Sequence, residues 1–440
     1  MQNKNLIQKA ISLLEESGFE AYLVGGIVRD FLMDLPCHDI DLATNALPEQ
    51  TMKVFSAYTV VPTGLKHGTV TVIFEGEPIE ITTYRLEGEY SDGRHPDNVE
   101  YSLNLLDDLK RRDFTMNAIA YNFNTGLIDP FDGQKDIKNK LIRCVGTPQK
   151  RFSEDSLRIL RGLRFSSVLG FDIENETAKA MFELKNEMKN VSNERIFIEL
   201  SKLVCGQNVK DVLIHYFNCI LAFLPEFEQM QNFKQHNPHH IYDVLTHTAV
   251  VVENSPQGVH LRLAALFHDC GKPECFSLDE NGVGHFYAHA KKSAEITQNV
   301  LTRLKCDNAT KNKVVKLIKI HDTPIEANER LIKKRMARLG TEMFFDLIAL
   351  QRADNLGQAP QYRSRQEKLD EIIEIANKII AESQCFSLKD LNINGNDLIS
   401  LGFSGKKIGE LLNLILNEVI DDKLENEKDK LINFAKNRLI

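Results

Sequence analysis

The spacing of apolar and polar residues in the first 150 positions predicts a small β-sheet with few helices. Residues 1–18 predict an amphipathic helix with Leu6, Leu13 and Leu14 on its apolar side. A second, short helix is expected over residues 27–33. Short apolar runs predict strands, the fourth and fifth of which form a hairpin. The predicted strands cover residues 22–24, 39–43, 59–61, 69–74, 79–84 and 141–145.

Helical spacing dominates later in the chain. One helix is predicted over residues 105–121, and another over 151–170 with Ser153 as its N-cap. From about Phe152 onward the apolar positions follow a helical period. We therefore expect an α+β protein in which a head with a mixed β-sheet precedes an all-α remainder, with the boundary near residue 148. The polar, turn-rich stretch 85–99 predicts a mobile loop.

Carboxylates on two of the predicted strands are candidate metal ligands. Asp39 and Asp41 point to one face of their strand because successive side chains alternate, while Ile40 and Leu42 point into a core. Paired carboxylate oxygens suit hard divalent cations. Glu80 is either a third carboxylate approaching this pair or an exposed strand residue.

A candidate phosphate cradle precedes the two aspartates. Gly25 and Gly26 allow backbone amides to approach an anion closely, and the helix that begins there adds the positive end of its dipole. Arg29 lies on the first turn, where its guanidinium can contact two phosphate oxygens. A phosphate cradle beside metal-binding carboxylates indicates phosphoryl or nucleotidyl transfer.

Composition adds limits to this picture. The 440 residues are enough for two or more domains, and 42% hydrophobic with 26% charged residues is typical of soluble globular proteins. No apolar run is long enough to span a membrane, and the N-terminus lacks the apolar core of a signal peptide, so we expect a cytoplasmic protein. The eight cysteines have no spacing typical of disulfide frameworks or zinc sites.

The net charge of −8 does not by itself indicate an RNA-binding protein. Basic residues nevertheless concentrate between positions 135 and 164, where they form either an RNA-binding face or a solvated one. The members of this group are Lys135, Lys138, Lys140, Arg143, Lys150, Arg151, Arg158, Arg161 and Arg164.

Five motifs occur in order between residues 22 and 200: GGIVRD with DIDLAT, RRDFTMNA, DPFDGQKDI, EDSLRILRGLRF and SNERIFIEL. In this the chain resembles the class II CCA-adding enzymes and bacterial poly(A) polymerases. The resemblance implies a nucleotidyltransferase head over 1–148, a helical neck over 149–235 that helps select the nucleotide, and a helical tail over 361–440 that binds tRNA. It also implies two Mg²⁺ ions held by Asp39 and Asp41 for a two-metal nucleotidyl transfer, and triphosphate binding by Gly25, Gly26 and Arg29.

Nucleotide choice follows from the same resemblance, which assigns it to Glu154, Asp155 and Arg158. Asp155 accepts hydrogen bonds and Arg158 donates them, and their spacing puts both on one face of the predicted helix. Cytosine and adenine each present an amino donor beside a ring-nitrogen acceptor, whereas uracil and guanine reverse the pattern. The other nucleotide-binding candidates, of which Arg112 and Asp113 are expected at the ribose, are Arg111, Arg112, Asp113, Asn117, Arg161 and Arg164.

Residues 236–360 contain a second set of motifs: HNPHHIYDVLTHT, LAALFHDCGKP, HFYAHAKKSAE, IKIHDTP and RADNLGQ. This set resembles the HD metal-dependent phosphohydrolase superfamily. The resemblance implies one metal-binding set of His247, His268, Asp269 and Asp354, with His289 and His321 as further ligands. The metal expected there is Mn²⁺, Ni²⁺, Fe²⁺ or Mg²⁺, and the domain either hydrolyses a 2′,3′-cyclic or terminal phosphate of RNA or serves as a scaffold.

The sequence thus predicts an enzyme that adds CCA to the 3′ end of tRNA from CTP and ATP without a template, releasing pyrophosphate. Two alternatives stay open at this stage. One is an A-adding or poly(A)-adding relative, and the other is an RNA-binding protein whose catalytic head is silent. The oligomeric state is not predicted.

Overall fold

The computed structural model describes residues 4–37, 39–86 and 100–438. Most of the loop predicted over 85–99 therefore lies outside the described residues. The chain forms two compact units, one that ends at Pro225 and one that begins at Glu226. The finer division at residues 148, 235 and 360 stays a prediction.

A seven-stranded mixed sheet forms the head, with the strand order β3-β4-β5-β2-β1-β6-β7. All its neighbouring strands are antiparallel except β2 and β5, which are parallel. The strands are β1 (Ala21–Val24), β2 (Ile40–Thr44), β3 (Thr59–Gly64), β4 (Thr69–Phe74), β5 (Glu77–Thr83), β6 (Ala120–Asn122) and β7 (Gly126–Ile128). The head helices are α1 (Lys4–Glu16), α2 (Gly26–Leu32), α3 (Pro48–Val54), α4 (Leu105–Lys110) and α5 (Gly133–Lys138).

Alternation along β2 positions the predicted metal ligand Asp41. Ile40 and Leu42 are buried in the core that also contains Ile7 and Leu14 of α1, whereas Asp41 stays half-buried on the other face. The parallel pairing of β2 and β5 places Asp41 directly opposite Glu80. The predicted head and its mixed sheet are confirmed.

The helix predicted over 105–121 is wrong beyond its second turn. Helix α4 ends at Lys110, a short 3₁₀ turn follows, and residues 120–122 become strand β6 beside β1. The side chain of Asp113 explains the change, because its Oδ1 accepts hydrogen bonds from the Phe114 amide at 2.8 Å and the Asn117 side chain at 3.0 Å. Such local bonds compete with helical ones.

The single helix predicted over 151–170 is also wrong. Helix α6 (Pro148–Glu154) and helix α7 (Leu157–Leu169) are separated by Asp155, whose backbone is extended at φ −145° and ψ 100°. Ser153 therefore lies inside α6 and is not an N-cap. Asp155 does not share a helix face with Arg158, since it precedes the helix that carries Arg158.

Helices make up the rest of the chain, as predicted, apart from two short ladders. One pairs β8 (Leu141–Ile142) with β9 (Asp172–Ile173), and the other pairs β10 (Phe276–Leu278) with β11 (Gly284–Phe286). The first unit adds α8 (Asn175–Leu184), α9 (Asn193–Val204), α10 (Val209–His215) and α11 (Phe217–Ile220). The second contains α12 (Val244–Asn254), α13 (Val259–Phe267), α14 (His289–Arg303), α15 (Asn308–Ile320), α16 (Glu329–Leu339), α17 (Thr341–Leu356), α18 (Arg365–Ala381), α19 (Gly395–Ser400), α20 (Lys406–Ile420) and α21 (Lys428–Lys436). Among the described residues, no helix combines the length and apolar character that a membrane crossing needs.

Candidate active site

A cavity of about 600 Å³ in the first unit gathers most of the predicted nucleotide-binding residues. Basic side chains outnumber acidic ones on its wall, which suits a polyanionic ligand. Its lining residues are Gly25, Gly26, Arg29, Asp39, Asp41, Arg111, Arg112, Asp113, Asn117, Asp155, Leu157, Arg158, Arg161, Arg164, Phe165, Arg195, Ile198, Glu199 and Lys202. Glu80 and Glu154 lie outside this lining.

Asp39 and Asp41 line the edge of the cavity, and Glu80 lies opposite Asp41 on β5 but is exposed and outside the lining. Burial, together with nearby Glu80 and Asp39, raises the pKa of Asp41 to about 6, against the opposing effect of Arg112. The shift reflects negative charge that is crowded and partly desolvated. A divalent cation would relieve this crowding, and the donor set, which consists of carboxylate oxygens, fits the Mg²⁺ that the sequence predicts.

Gly25 allows an arginine to approach the aspartates. Its backbone has φ +77°, and a Cβ atom built there would lie 2.8 Å from Nη1 of Arg112 and 3.9 Å from Oδ2 of Asp41. The Arg112 guanidinium forms an ion pair with the Asp108 carboxylate at 3.0 Å, and Arg111 forms an ion pair with the same carboxylate at 2.5 Å. Burial alone would raise the pKa of Asp108, but the two arginines hold it below its usual range.

Asp113 connects three other cavity residues. Its Oδ2 accepts two hydrogen bonds from Arg161 at 2.6 and 2.9 Å, and its Oδ1 accepts the bond from Asn117. Asn117 in turn accepts a hydrogen bond from Arg29 at 2.8 Å. Burial would raise the pKa of Asp113, but Arg161 and Asn117 hold it well below its usual range. The ionised carboxylate of Asp113 therefore holds the neighbouring side chains in place. Its predicted position at the ribose stays a prediction.

Phe165 packs against three guanidinium groups. Its ring centroid lies 3.8 Å from the Cζ of Arg164, 5.0 Å from that of Arg29 and 5.5 Å from that of Arg161. Cations over an aromatic face are attracted by the ring quadrupole. Glu199, which is 6% exposed, contacts Arg164 at 2.6 Å and Arg161 at 3.5 Å. The ring and this carboxylate hold like charges close together.

The residues expected to choose the base are held by different partners. Asp155 accepts a hydrogen bond from Arg195 at 2.7 Å, whereas Arg158 donates one to Glu154 at 3.0 Å. Arg158 also donates to the backbone oxygen of Arg111. Asp155 and Arg158 both line the cavity, and Glu154 orients Arg158 from outside it.

One wall of the cavity was missed as a set by the sequence-based site prediction. It comes from α9, whose Arg195, Ile198, Glu199 and Lys202 are spaced three and four residues apart and so share one helix face. This helical spacing, within and just after the SNERIFIEL motif, could have indicated that the four residues share one functional face. Leu157 and Phe165 were missed as well, because apolar residues on a helix are usually assigned to the core.

The second unit brings together all six metal-ligand candidates predicted there. His247, His268, Asp269 and Asp354 form one group of possible ligands, and Asp269, His289 and His321 form another. Asp269 belongs to both, with Oδ2 lying 3.1 Å from Nε2 of His268 and Oδ1 lying 3.4 Å from Nε2 of His289. Among the described atoms, Nε2 of His268 and both oxygens of Asp269 are buried and form no hydrogen bond of regular geometry.

Backbone carbonyls orient the four histidines of this cluster. Each Nδ1 lies within hydrogen-bond distance of one, namely Gly357 O, Ala265 O, Phe286 O and Ile318 O for His247, His268, His289 and His321. Since a carbonyl only accepts, each Nδ1 carries a proton and each Nε2 is directed at the carboxylates. This is how proteins orient histidine ligands around a metal, so the donor set fits a divalent transition metal.

Replacing Gly25 by alanine is expected to weaken nucleoside triphosphate binding at least tenfold, because the new Cβ displaces the Arg112 guanidinium. Gly76→Ala is the matched control, since Gly76 has φ +92° but an added Cβ there would have nothing within 4 Å. Both variants should lose about 1–3 kcal/mol of folding stability, because a positive φ strains a residue that has a side chain. Calorimetric titration with CTP and thermal unfolding measure the two effects. Equal CTP affinity in both variants would contradict the contact.

The chain is similar to several known proteins over most of its length. Three family profiles match: "Poly A polymerase head domain" over residues 21–143, "Probable RNA and SrmB- binding site of polymerase A" over 170–230, and "tRNA nucleotidyltransferase domain 2 putative" over 280–435. The CCA-adding enzyme of Staphylococcus epidermidis is 44% identical over 236 residues, which is 54% of each chain.

Longer similarities cover the whole chain. The CCA-adding enzyme of Staphylococcus haemolyticus is 34% identical over 453 residues, covering 99% of this chain and 97% of the relative. The solved structure of the Bacillus stearothermophilus CCA-adding enzyme in complex with CTP covers 100% of this chain and 98% of its own, at 26% identity and a TM-score of 0.74. The protein, with its α+β head and helical remainder, belongs to the family of CCA-adding enzymes.

Proposed function

We propose that this protein adds C, C and A to the 3′ end of tRNA, using CTP and ATP and releasing pyrophosphate. The observation that carries the proposal is a single cavity lined by the carboxylates of Asp39 and Asp41, by a basic wall, and by the acceptor Asp155 together with the donor Arg158. Relatives of this fold have been solved with CTP, with ATP and with a tRNA ending in CCA. The reaction would take place in the cytoplasm, with its tRNA substrate.

The transfer reaction joins the 3′-hydroxyl oxygen of the RNA to the α-phosphorus of the nucleotide. The bond from that phosphorus to the oxygen that bridges to the β-phosphate breaks, and pyrophosphate leaves. Bound Mg²⁺ would lower the pKa of the hydroxyl and stabilise the leaving group. Asp39 and Asp41 would hold the metal, with Glu80 opposite Asp41. Arg29, with Gly25 and Gly26, would contact the triphosphate.

One site is sufficient for both nucleotides. The carboxylate of Asp155 would accept a hydrogen bond from the exocyclic amino group of cytosine or adenine, and Arg158 would donate one to the neighbouring ring nitrogen. Uracil and guanine would place a donor against Arg158 and an acceptor against Asp155. Arg195 would orient Asp155 through one ion pair, and Glu154 would orient Arg158 through another.

The A-adding and poly(A)-adding alternatives share the same head. Relatives named CCA-adding enzymes match nearly the full length of this chain at 32–34% identity, which favours CCA addition. A silent head is disfavoured because the carboxylates and the acceptor–donor pair line one cavity.

A tRNA that ends at the discriminator base, incubated with the protein, Mg²⁺ and each nucleotide alone or in combination, tests the proposal. Mass analysis of the RNA should show addition of C, C and A followed by a stop. Addition of A only to tRNA that already ends in CC, or growth of an A tail, would replace the proposal with one of the alternatives.

The preference for CTP over UTP should be lost when Asp155 and Arg158, which form the acceptor–donor pair, are both removed. In the double variant Asp155→Ala with Arg158→Ala, we expect the ratio of kcat/KM for CTP to that for UTP to fall about a hundredfold, or about 2.7 kcal/mol. Arg195→Ala should lower the ratio less, because Asp155 keeps its charge but loses its partner. Lys202→Ala, on the same cavity wall, should weaken nucleotide binding and keep the ratio. A double variant that still discriminates would disprove this mechanism.

We further propose that the histidine cluster of the second unit is an HD-type centre that binds divalent metal and hydrolyses phosphate esters. The observation that favours it is the convergence of four Nε2 atoms on two carboxylates, with Asp269 shared by both ligand groups. A bound metal would supply a hydroxide for attack on phosphorus. Candidate substrates are a 2′,3′-cyclic phosphate or a terminal phosphate at an RNA end.

His268→Ala should lower hydrolysis of nucleoside 2′,3′-cyclic phosphate more than a hundredfold and leave CCA addition unchanged. The assay uses the full chain after chelation and reloading with Mn²⁺, Ni²⁺ or Mg²⁺, with metal content measured by mass spectrometry. His215→Ala, an exposed histidine at the end of α10, is the control. Loss of both activities in His268→Ala would instead indicate a structural role for the cluster.

A further inference from the structure

The two ligand groups of the second unit use different oxygens of Asp269. Its Oδ2 lies 3.4 Å from Nε2 of His247 in the first group, whereas its Oδ1 lies 3.8 Å from Nε2 of His321 in the second. Asp354 belongs only to the first group, and its Oδ1 lies 3.0 Å from Nε2 of His247. His321 belongs only to the second group. Each group therefore contains ligands that the other lacks.

His321 is attached to the end of a helix whose carbonyls need outside partners. The residue directly follows α15, and the last carbonyls of a helix have no partner within the helix itself. The Nδ1 of His321 donates a hydrogen bond to the backbone oxygen of Ile318, in the last turn of α15, at 2.7 Å. The position of the imidazole ring therefore depends on where this end of α15 lies.

A buried glutamine holds this end of α15. Gln351 of α17 is 1% exposed, and its Nε2 donates to the backbone oxygens of His321 at 2.8 Å and of Thr323 at 2.9 Å. Because carbonyls only accept, the amide nitrogen must face them, which fixes the orientation of the side chain. Gln351 precedes Asp354 by three residues, so the two are neighbours on one face of α17. The glutamine thus connects a ligand of the second group to the helix that carries a ligand of the first.

The second ligand group depends more on such support than the first. The first group contains the carboxylates of Asp269 and Asp354, whereas the second contains only the shared Asp269. Ligand charge and the rigidity of the ligands together set the affinity of a cation site. With less negative charge, the second group is expected to bind its ion more weakly and to rely on accurately placed histidines.

We propose that Gln351 is a positioning residue that holds His321 where the second ligand group can bind a metal ion beside the first. Without its amide, the end of α15 would lose two hydrogen bonds to α17, and His321 would shift relative to Asp269. The histidines of the first group are oriented by other carbonyls, those of Gly357 and Ala265. This inference rests on the metal centre proposed above for the second unit.

Titration of the metal-free, full-length chain with Mn²⁺ tests this role. The reference protein carries Asp39→Asn with Asp41→Asn, which removes the carboxylates predicted to bind metal in the head, and the other variants are made in it. Calorimetry should show two bound ions, and electron paramagnetic resonance an exchange-coupled pair. Gln351→Met has a similar length but cannot donate. It should bind the second ion at least about tenfold more weakly, bind the first ion unchanged, and show the spectrum of isolated Mn²⁺.

Ser255→Ala is the matched control. Ser255 is 2% exposed, and its Oγ donates to the backbone oxygen of Val251 at 2.9 Å at the end of α12, so this variant also loses a buried hydrogen bond in the second unit. It should keep both ions and the coupled spectrum. Unchanged binding of both ions in Gln351→Met, or equal weakening of both, would overturn the inference.

The same reference protein separates this inference from the hydrolytic function. If it binds two ions but does not hydrolyse adenosine 2′,3′-cyclic phosphate, the hydrolytic function fails, and the titration still decides the role of Gln351. A reference protein that binds a single ion would overturn the inference and keep the metal centre. One that binds no ion would overturn both.

Discussion

The nucleotide cavity depends on one buried carboxylate, that of Asp113. It holds Arg161 with two hydrogen bonds and fixes Asn117, which in turn holds Arg29. Removing one partner of a buried ion pair typically costs about 3–5 kcal/mol, because the other charge is left uncompensated. Without Asp113, Arg161 would lose one of its two carboxylate partners, and Glu199 would be left to offset the charges of Arg161 and Arg164 beside Phe165. The basic wall proposed to bind a triphosphate is therefore held in place by a carboxylate within the first unit itself.

The same carboxylate explains where sequence-based prediction failed in the head. Leu105 and Leu109 are spaced as on a helix, but α4 ends at Lys110, the Asp113 carboxylate then binds the Phe114 amide, and residues 120–122 join the sheet. Asp155 interrupts the next predicted helix in a similar way, with its side chain bound to Arg195. Both carboxylates also bind partners that are distant in sequence: Arg161 is 48 residues from Asp113, and Arg195 is 40 residues from Asp155. Local periodicity contains no information about such partners.

Local patterns were sufficient for the features that depend on local geometry. The alternation along β2 predicted which face carries Asp41. The glycine turn was predicted to bring backbone amides close to an anion; Gly25 lies against the Arg112 guanidinium, and the anion contact stays a prediction. The order of histidine and aspartate motifs predicted six residues that the fold gathers into one cluster, although they span residues 247 to 354. Each of these side chains lies on a helix or within two residues of one. The sequence did not predict the cavity wall formed by α9, because only the position of these residues along the cavity indicates a role for them.

The central claim is that one acceptor–donor pair, held in place by the protein, recognises both cytosine and adenine. Crystal structures of the full chain with CTP and with ATP, each with Mg²⁺, test this most directly. The account predicts that in both complexes Asp155 accepts from the exocyclic amino group and Arg158 donates to the adjacent ring nitrogen, with the triphosphate near Arg29. A base that contacts neither side chain, or two bases bound at different places, would contradict it.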